Sequence, residues 1–118
     1  GGAKMPKIFY VNWFRKNGDG KFMWPGYAEN SRVLKWIFER CDGTAKAVDT
    51  PIGKVPAEGA LDTNGLKLAA EQLKELLKVD TAGWKAELPL IKQHFASFGA
   101  KMPKGLSDEL TALEKRLG

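Results

Sequence analysis

Residues Ile8-Phe9-Tyr10-Val11-Asn12-Trp13-Phe14 form an almost unbroken run of β-branched and aromatic side chains. Such a run reads as a strand buried on both faces. It constrains the fold because the rest of the chain holds too little strand sequence to pair with it. Asn17-Gly18-Asp19-Gly20 reads as a turn, followed by a short extended piece from Lys21 to Trp24 that Pro25-Gly26 breaks. A two-stranded element is marginal alone. The run therefore calls for helices or further strands against it, and its edge is open to a missing partner.

The remainder is mostly helical in pattern. Asn30 or Ser31 is placed to cap a helix running to about Arg40, with Val33, Leu34, Ile37 and Phe38 on one face and Asp42-Gly43 as its stop. Lys46 to Pro56 is extended, turning at Thr50-Pro51-Ile52-Gly53. Apolar residues Leu66, Ala69, Leu73, Leu76 and Leu77 recur at helical spacing between Asn64 and Leu77. Asp80 caps a further helix carrying Trp84, Leu88, Ile91, Phe95 and Phe98, with Pro89 expected to kink or interrupt it. Ser107 is expected to cap the last helix, which carries Leu110, Leu113 and Leu117. The fold class expected is α+β: short strands and turns in the first half packed with about four helices. With 118 residues the whole of 1–118 is read as one domain, 1–56 holding strands, turns and one helix and 57–118 a helical tail.

Several chemistries are excluded by what the chain carries. Asn17-Gly18-Asp19-Gly20 resembles the start of a calcium loop, but the first and twelfth loop positions are Arg15 and Gly26 instead of acids. Neither a Gly-x-x-x-x-Gly-Lys-Ser/Thr loop nor Gly-x-Gly-x-x-Gly is present. His94 is the one histidine, without a second ligand or a nucleophile to serve, and reads as a helix-surface residue. Cys41 is the one cysteine, so no internal disulfide forms; at a helix C-terminus it gains nothing from the dipole that activates thiols, and it reads as structural. No apolar stretch approaches a membrane span and no signal-peptide core is evident, so no membrane partner is expected and a cytoplasmic location follows by default.

Around the glycine turn the chain gathers what a flat heterocycle needs. Phe14, Phe22 and Tyr27 supply rings, Asn30 an amide, and Arg15, Lys16 and Lys21 positive charge. Most of the net charge of +5 lies in the first half, which suits an anionic ligand. Two readings stand side by side. In one the rings pack under the turn and Asn30 merely caps the helix. In the other they sandwich a base whose edge Asn30 or nearby backbone groups read. A small basic nucleic-acid-binding module or a helical interaction module is the alternative from another class.

The segments Pro6–Arg15, Phe22–Leu34 and Thr50–Gly53 resemble, in order and spacing, the C-terminal part of GTP-dependent phosphoenolpyruvate carboxykinase, over roughly residues 4 to 56. From about residue 57 only a compatible helical pattern is evident. The resemblance implies that guanine sits among Phe14, Phe22 and Tyr27, that Tyr27-Ala28-Glu29-Asn30 lies against the base, and that Asn30 bonds its edge. Tyr27 stands where the family is expected to carry Phe, a change that keeps stacking. The resemblance further implies a lyase that turns oxaloacetate and GTP into phosphoenolpyruvate, carbon dioxide and GDP. Its Mn2+ or Mg2+, phosphate loop, lid and reactive cysteine are expected outside this stretch. The implied partners are a guanine nucleotide and the remainder of a monomeric parent enzyme, with no nucleic acid. On this reading the chain has no catalytic residue and no metal ligand of its own, and would be inactive alone.

Overall fold

The computed structural model describes residues 3–118. It contains α1 (Asn30–Cys41), a hairpin of β1 (Ala47–Thr50) and β2 (Gly53–Pro56), α2 (Ala70–Leu77), α3 (Thr81–Ala96) and α4 (Lys104–Leu117). Single 3-10 turns, Tyr27–Glu29 and Gly99–Lys101, precede α1 and α4. The α+β class expected from the sequence is the class observed.

Two compact units divide the chain. One holds the residues up to Val48 together with Val55–Lys78, and the other Asp49–Lys54 with Val79–Gly118. The β1–β2 hairpin has its base in the first and its tip in the second. Its two-residue connection, Pro51-Ile52, makes the strands antiparallel. Thr50 Oγ1 closes the turn by donating to Gly53 O at 2.6 Å.

The first unit is organised by two indoles. Trp36 on α1 and Trp24 before it are buried, as is Leu61. Phe9 packs edge-on to Trp36 with centroids 6.1 Å apart, and Trp36 Nε1 donates to Lys46 O. The buried face of α1 is therefore centred on Trp36, while Leu34 and Phe38 are exposed. This corrects the four-residue apolar face expected for α1: a single large indole displaces the smaller side chains. Gly43, at φ +79°, ends α1 as expected, and Thr44 N returns to Glu39 O. Lys7 Nζ also closes this end, donating to Arg40 O and Cys41 O. Cys41 itself is exposed, so it does not pack in a core as a structural cysteine would.

Three further expectations are corrected. Ile8–Phe14 is not a strand: it belongs to no ladder, and Ile8 and Tyr10 are almost fully exposed. β propensity expresses a fit to neighbouring strands, and among the described residues none lies beside it. Helix α2 starts at Ala70 instead of near Asn64, because Gly65 adopts φ +73° and the chain stays extended through Ala69. Gln72 Oε1 accepts from Ala69 N at 3.1 Å, half of a capping box, since alanine has no acceptor to return the bond. Helix α4 starts at Lys104 after an extended Pro103, so Ser107 lies inside it and caps nothing. Proline favours this entry because its own φ suits the approach to a helix.

In the second unit α3 and α4 pack together, with Leu88 and Leu117 buried. Asp80 caps α3 as expected, Oδ1 accepting from Gly83 N at 2.9 Å. The helix runs through Pro89 without interruption. A cleft of about 300 Å³ lies between the hairpin tip and the helix pair, lined by Ile52, Trp84, Phe95, Leu110 and Leu113 among others. Arg116 Nε donates to Pro51 O at 2.8 Å and ties α4 to that tip. His94 is on the surface, as expected, its ring edge-on to Phe98.

Candidate functional site

The aromatic run is built by a small turn in the first unit. Asn12 Oδ1 accepts from Phe14 N at 3.0 Å and bends the chain before the turn. Lys16 and Phe22 form an antiparallel bridge, Asn17 N donates to Lys21 O, and Met23 N donates to Arg15 O. Inside the turn Asn17 Oδ1 accepts from both Asp19 N and Lys21 N at 3.0 Å. Gly20 completes it at φ +76°, where a side chain would be strained. The extended piece expected over Lys21–Trp24 is thus reduced to one bridge pair.

This turn brings Phe14 and Phe22 together. Their centroids lie 6.1 Å apart with the planes at 63°, an edge-to-face pair. Both rings are well exposed, 71% and 60%, so they do not pack under the turn. Lys16 Nζ sits 5.1 Å from the centre of the Phe22 ring and places positive charge on its face. Arg15 faces another way: its Nη1 donates to Leu76 O at 2.7 Å and Lys78 O at 3.0 Å, closing the last turn of α2. It is an anchor for the run and not a free cation.

Gly26, at φ +130°, turns the chain into the Tyr27–Glu29 3-10 turn. Tyr27 is 91% exposed, and among the described residues no ring pair includes it. Ala28 is exposed beside it. Glu29 is engaged: its carboxylate receives Arg32 Nε at 2.5 Å. Asn30 is half-buried at the first position of α1, and Glu29 is the residue before the helix. Asn30 is therefore not the cap. Its Oδ1 accepts instead from Trp24 Nε1 at 2.8 Å, a competing donor that sequence reading did not anticipate. An indole N–H that must be satisfied on burial is the signal that points to such a partner.

The outcome is one exposed aromatic pair, a separate exposed ring and a half-buried amide. Phe14 and Phe22 are paired, Tyr27 stands apart, and Asn30, whose amino group has no hydrogen-bond partner among the described residues, follows Tyr27 within one helical turn in sequence. Exposed rings of this kind can stack on a planar ligand, at about 1–3 kcal/mol per base. Among the described residues no group of three or more His, Cys, Asp or Glu is disposed to hold a metal ion, so the donor set does not fit a divalent metal here. Among the described residues no helix is long and apolar enough to cross a membrane.

Comparison with known proteins settles the lineage. The model of the phosphoenolpyruvate carboxykinase C-terminal P-loop domain matches residues 1–116. The chain belongs to this family. Carboxykinases named as GTP-dependent are its relatives throughout its length. That of Treponema pallidum (strain Nichols) is 56% identical over 114 residues, covering 96% of this chain and 18% of the relative. That of Neocallimastix frontalis is 53% identical over 116 residues, covering 98% and 19%. That of Chlamydia muridarum is 49% identical over 117 residues, covering 98% and 20%. The chain thus spans about a fifth of the length of these carboxykinases. The similarity continues well past residue 56, so the helical second half belongs to the family as fully as the aromatic run.

Proposed function

We propose that this chain supplies the guanine-recognition wall of a GTP-dependent phosphoenolpyruvate carboxykinase. Phe14, Phe22 and Tyr27 provide stacking faces, the backbone of Ala28 and Glu29 lines the base, and Asn30 bonds its edge. The observation that carries the reading is the edge-to-face pairing of exposed Phe14 and Phe22 on a hydrogen-bonded turn, with Tyr27 exposed after it. Rings held exposed on such a turn are available to stack on a flat ligand, as rings packed under it would not be. Lys16 and Lys21 favour the anionic nucleotide by charge alone.

In the parent enzyme the reaction would turn oxaloacetate and GTP into phosphoenolpyruvate, carbon dioxide and GDP, the entry step of gluconeogenesis. An enolate formed by decarboxylation takes the γ-phosphoryl group, and Mn2+ or Mg2+ held by residues outside this chain would stabilise the charge. This chain's own residues hold and orient the nucleotide by its base, so the chain alone is inactive. The parent is proposed as a monomeric cytoplasmic enzyme that acts on no nucleic acid. Within the 118 residues we treat 1–118 as one functional piece, the aromatic wall in 1–56 and a supporting helical tail in 57–118.

Photolabelling with 8-azido-GTP followed by peptide mass spectrometry tests the site. Label confined to residues 13–32 and suppressed by GTP, but not by equal ATP, is the expected result. Label elsewhere, or equal suppression by ATP, contradicts it.

A further inference from the structure

Asn30 has a fixed polarity that the proposed site makes consequential. An indole nitrogen only donates, so the atom facing Trp24 Nε1 is the amide oxygen of Asn30. The Nδ2 amino group is then turned the opposite way, and among the described residues no acceptor engages its two donors. A free asparagine amide has no such preference. Rotated by half a turn, it would offer an acceptor where it now offers donors.

Trp24 is well suited to hold this orientation. It is 93% buried by its 7% exposure, and its ring lies 6.5 Å from that of Trp13. It cannot swing to follow a rotating amide, and an amide rotated by half a turn would set two donors against each other. A buried donor left without an acceptor is costly, so the rotated state is disfavoured.

We infer that Trp24 is a positioning residue for base selection: its N–H locks the Asn30 amide with Nδ2 outward, toward a base edge that carries a carbonyl. The inference rests on the proposed reading that Asn30 faces the base. Guanine presents the carbonyl O6 at the place where adenine presents an amino group. An outward Nδ2 meets an acceptor in the first case and another donor in the second. Hypoxanthine keeps the carbonyl and lacks the 2-amino group, so through this contact it is equivalent to guanine. The indole thereby selects for a 6-oxopurine without touching it.

The test is a set of equilibrium titrations of the 118-residue chain with GDP, IDP and ADP. The wild-type chain should bind GDP and IDP similarly and ADP at least about tenfold more weakly. Trp24→Phe keeps a buried ring and deletes the N–H, and it should reduce the GDP-to-ADP ratio about tenfold while stacking is retained. Because a buried tryptophan is replaced, Asn30→Asp provides a second route: it keeps an acceptor for the indole and removes the outward donors. That variant should weaken GDP at least about tenfold and leave ADP equal or tighter. A folded Trp24→Phe chain or an Asn30→Asp chain that keeps the full wild-type GDP-to-ADP ratio overturns the inference and leaves the nucleotide site standing. A wild-type chain that binds none of the three overturns the site itself, and the inference with it.

Discussion

Phe14 and Phe22 meet edge to face across the Asn17–Gly20 turn, 6.1 Å between centroids, with both rings largely in solvent. A pair this exposed gives little to the fold, and on the proposed reading it serves the ligand. Phe22→Ala should leave the thermal midpoint nearly unchanged. The same change should weaken guanine nucleotide binding by roughly ten- to a hundredfold, the worth of one stacked ring. In the parent enzyme the effect should appear in KM for GTP. Equal loss of stability and binding would make Phe22 a packing residue instead.

Arg15 has the opposite balance. Its guanidinium bonds Leu76 O and Lys78 O, joining residues sixty positions apart and closing α2. Arg15→Met keeps the apolar stem and leaves those carbonyls without their charged donor. The expected cost is about 1–2 kcal/mol, moderated by partial exposure. Hydrogen exchange should show faster opening of α2 (Ala70–Leu77) specifically.

Asp62 gathers Lys35 Nζ on Oδ2 at 2.7 Å and Asn64 N on Oδ1 at 3.1 Å. The hydrogen bond from Lys35, then that from the Asn64 backbone, hold its carboxyl below the ordinary carboxylate range. The same bond to Asp62 raises Lys35. A lowered carboxyl stabilises the fold above its unfolded pKa and loses that contribution as pH falls through the folded value. Stability should therefore decline below about pH 4, and Asp62→Asn should flatten that limb. Lys35 works in the other direction: its contribution holds below the ordinary lysine range and fades only as pH rises past it. Denaturant midpoints measured from pH 2 to pH 7 for both chains check the acid side.

Pro89 lies exposed inside α3, where it donates nothing to Lys85 O and crowds the preceding turn. Pro89→Ala should raise the thermal midpoint, with a gain of up to about 3 kcal/mol. An unchanged or lower midpoint would mean that the proline fits this helix without strain.

How much of this was legible in the sequence depended on how local its cause was. Gly43 ending α1, Asp80 capping α3 and the Thr50–Gly53 turn follow from one or two residues, and each was read correctly. Ile8–Phe14 failed because a strand is decided by what lies beside it, and the run has no neighbour among the described residues. Asn30 and Ser107 failed as caps for a different reason. Good capping residues signal a helix start only where nothing better competes, and Trp24 Nε1 claims the one while Pro103 pre-empts the other. The chemistry of the candidate wall was visible as a set of residue types. The pairing of Phe14 with Phe22, the diversion of Arg15 to α2 and the engagement of Glu29 by Arg32 were not, because each is a long-range or side-chain choice.

The most direct measurement is a two-dimensional NMR titration of the chain with GDP, run beside ADP, reading Phe14, Phe22, Tyr27 and Asn30 with the Trp13 and Trp24 indoles as neighbouring reporters. Saturable shifts confined to those residues with GDP, and much weaker ones with ADP, are the predicted result. Shifts spread over the basic surface that vanish with added salt, or none at these residues, would contradict a guanine wall in this chain.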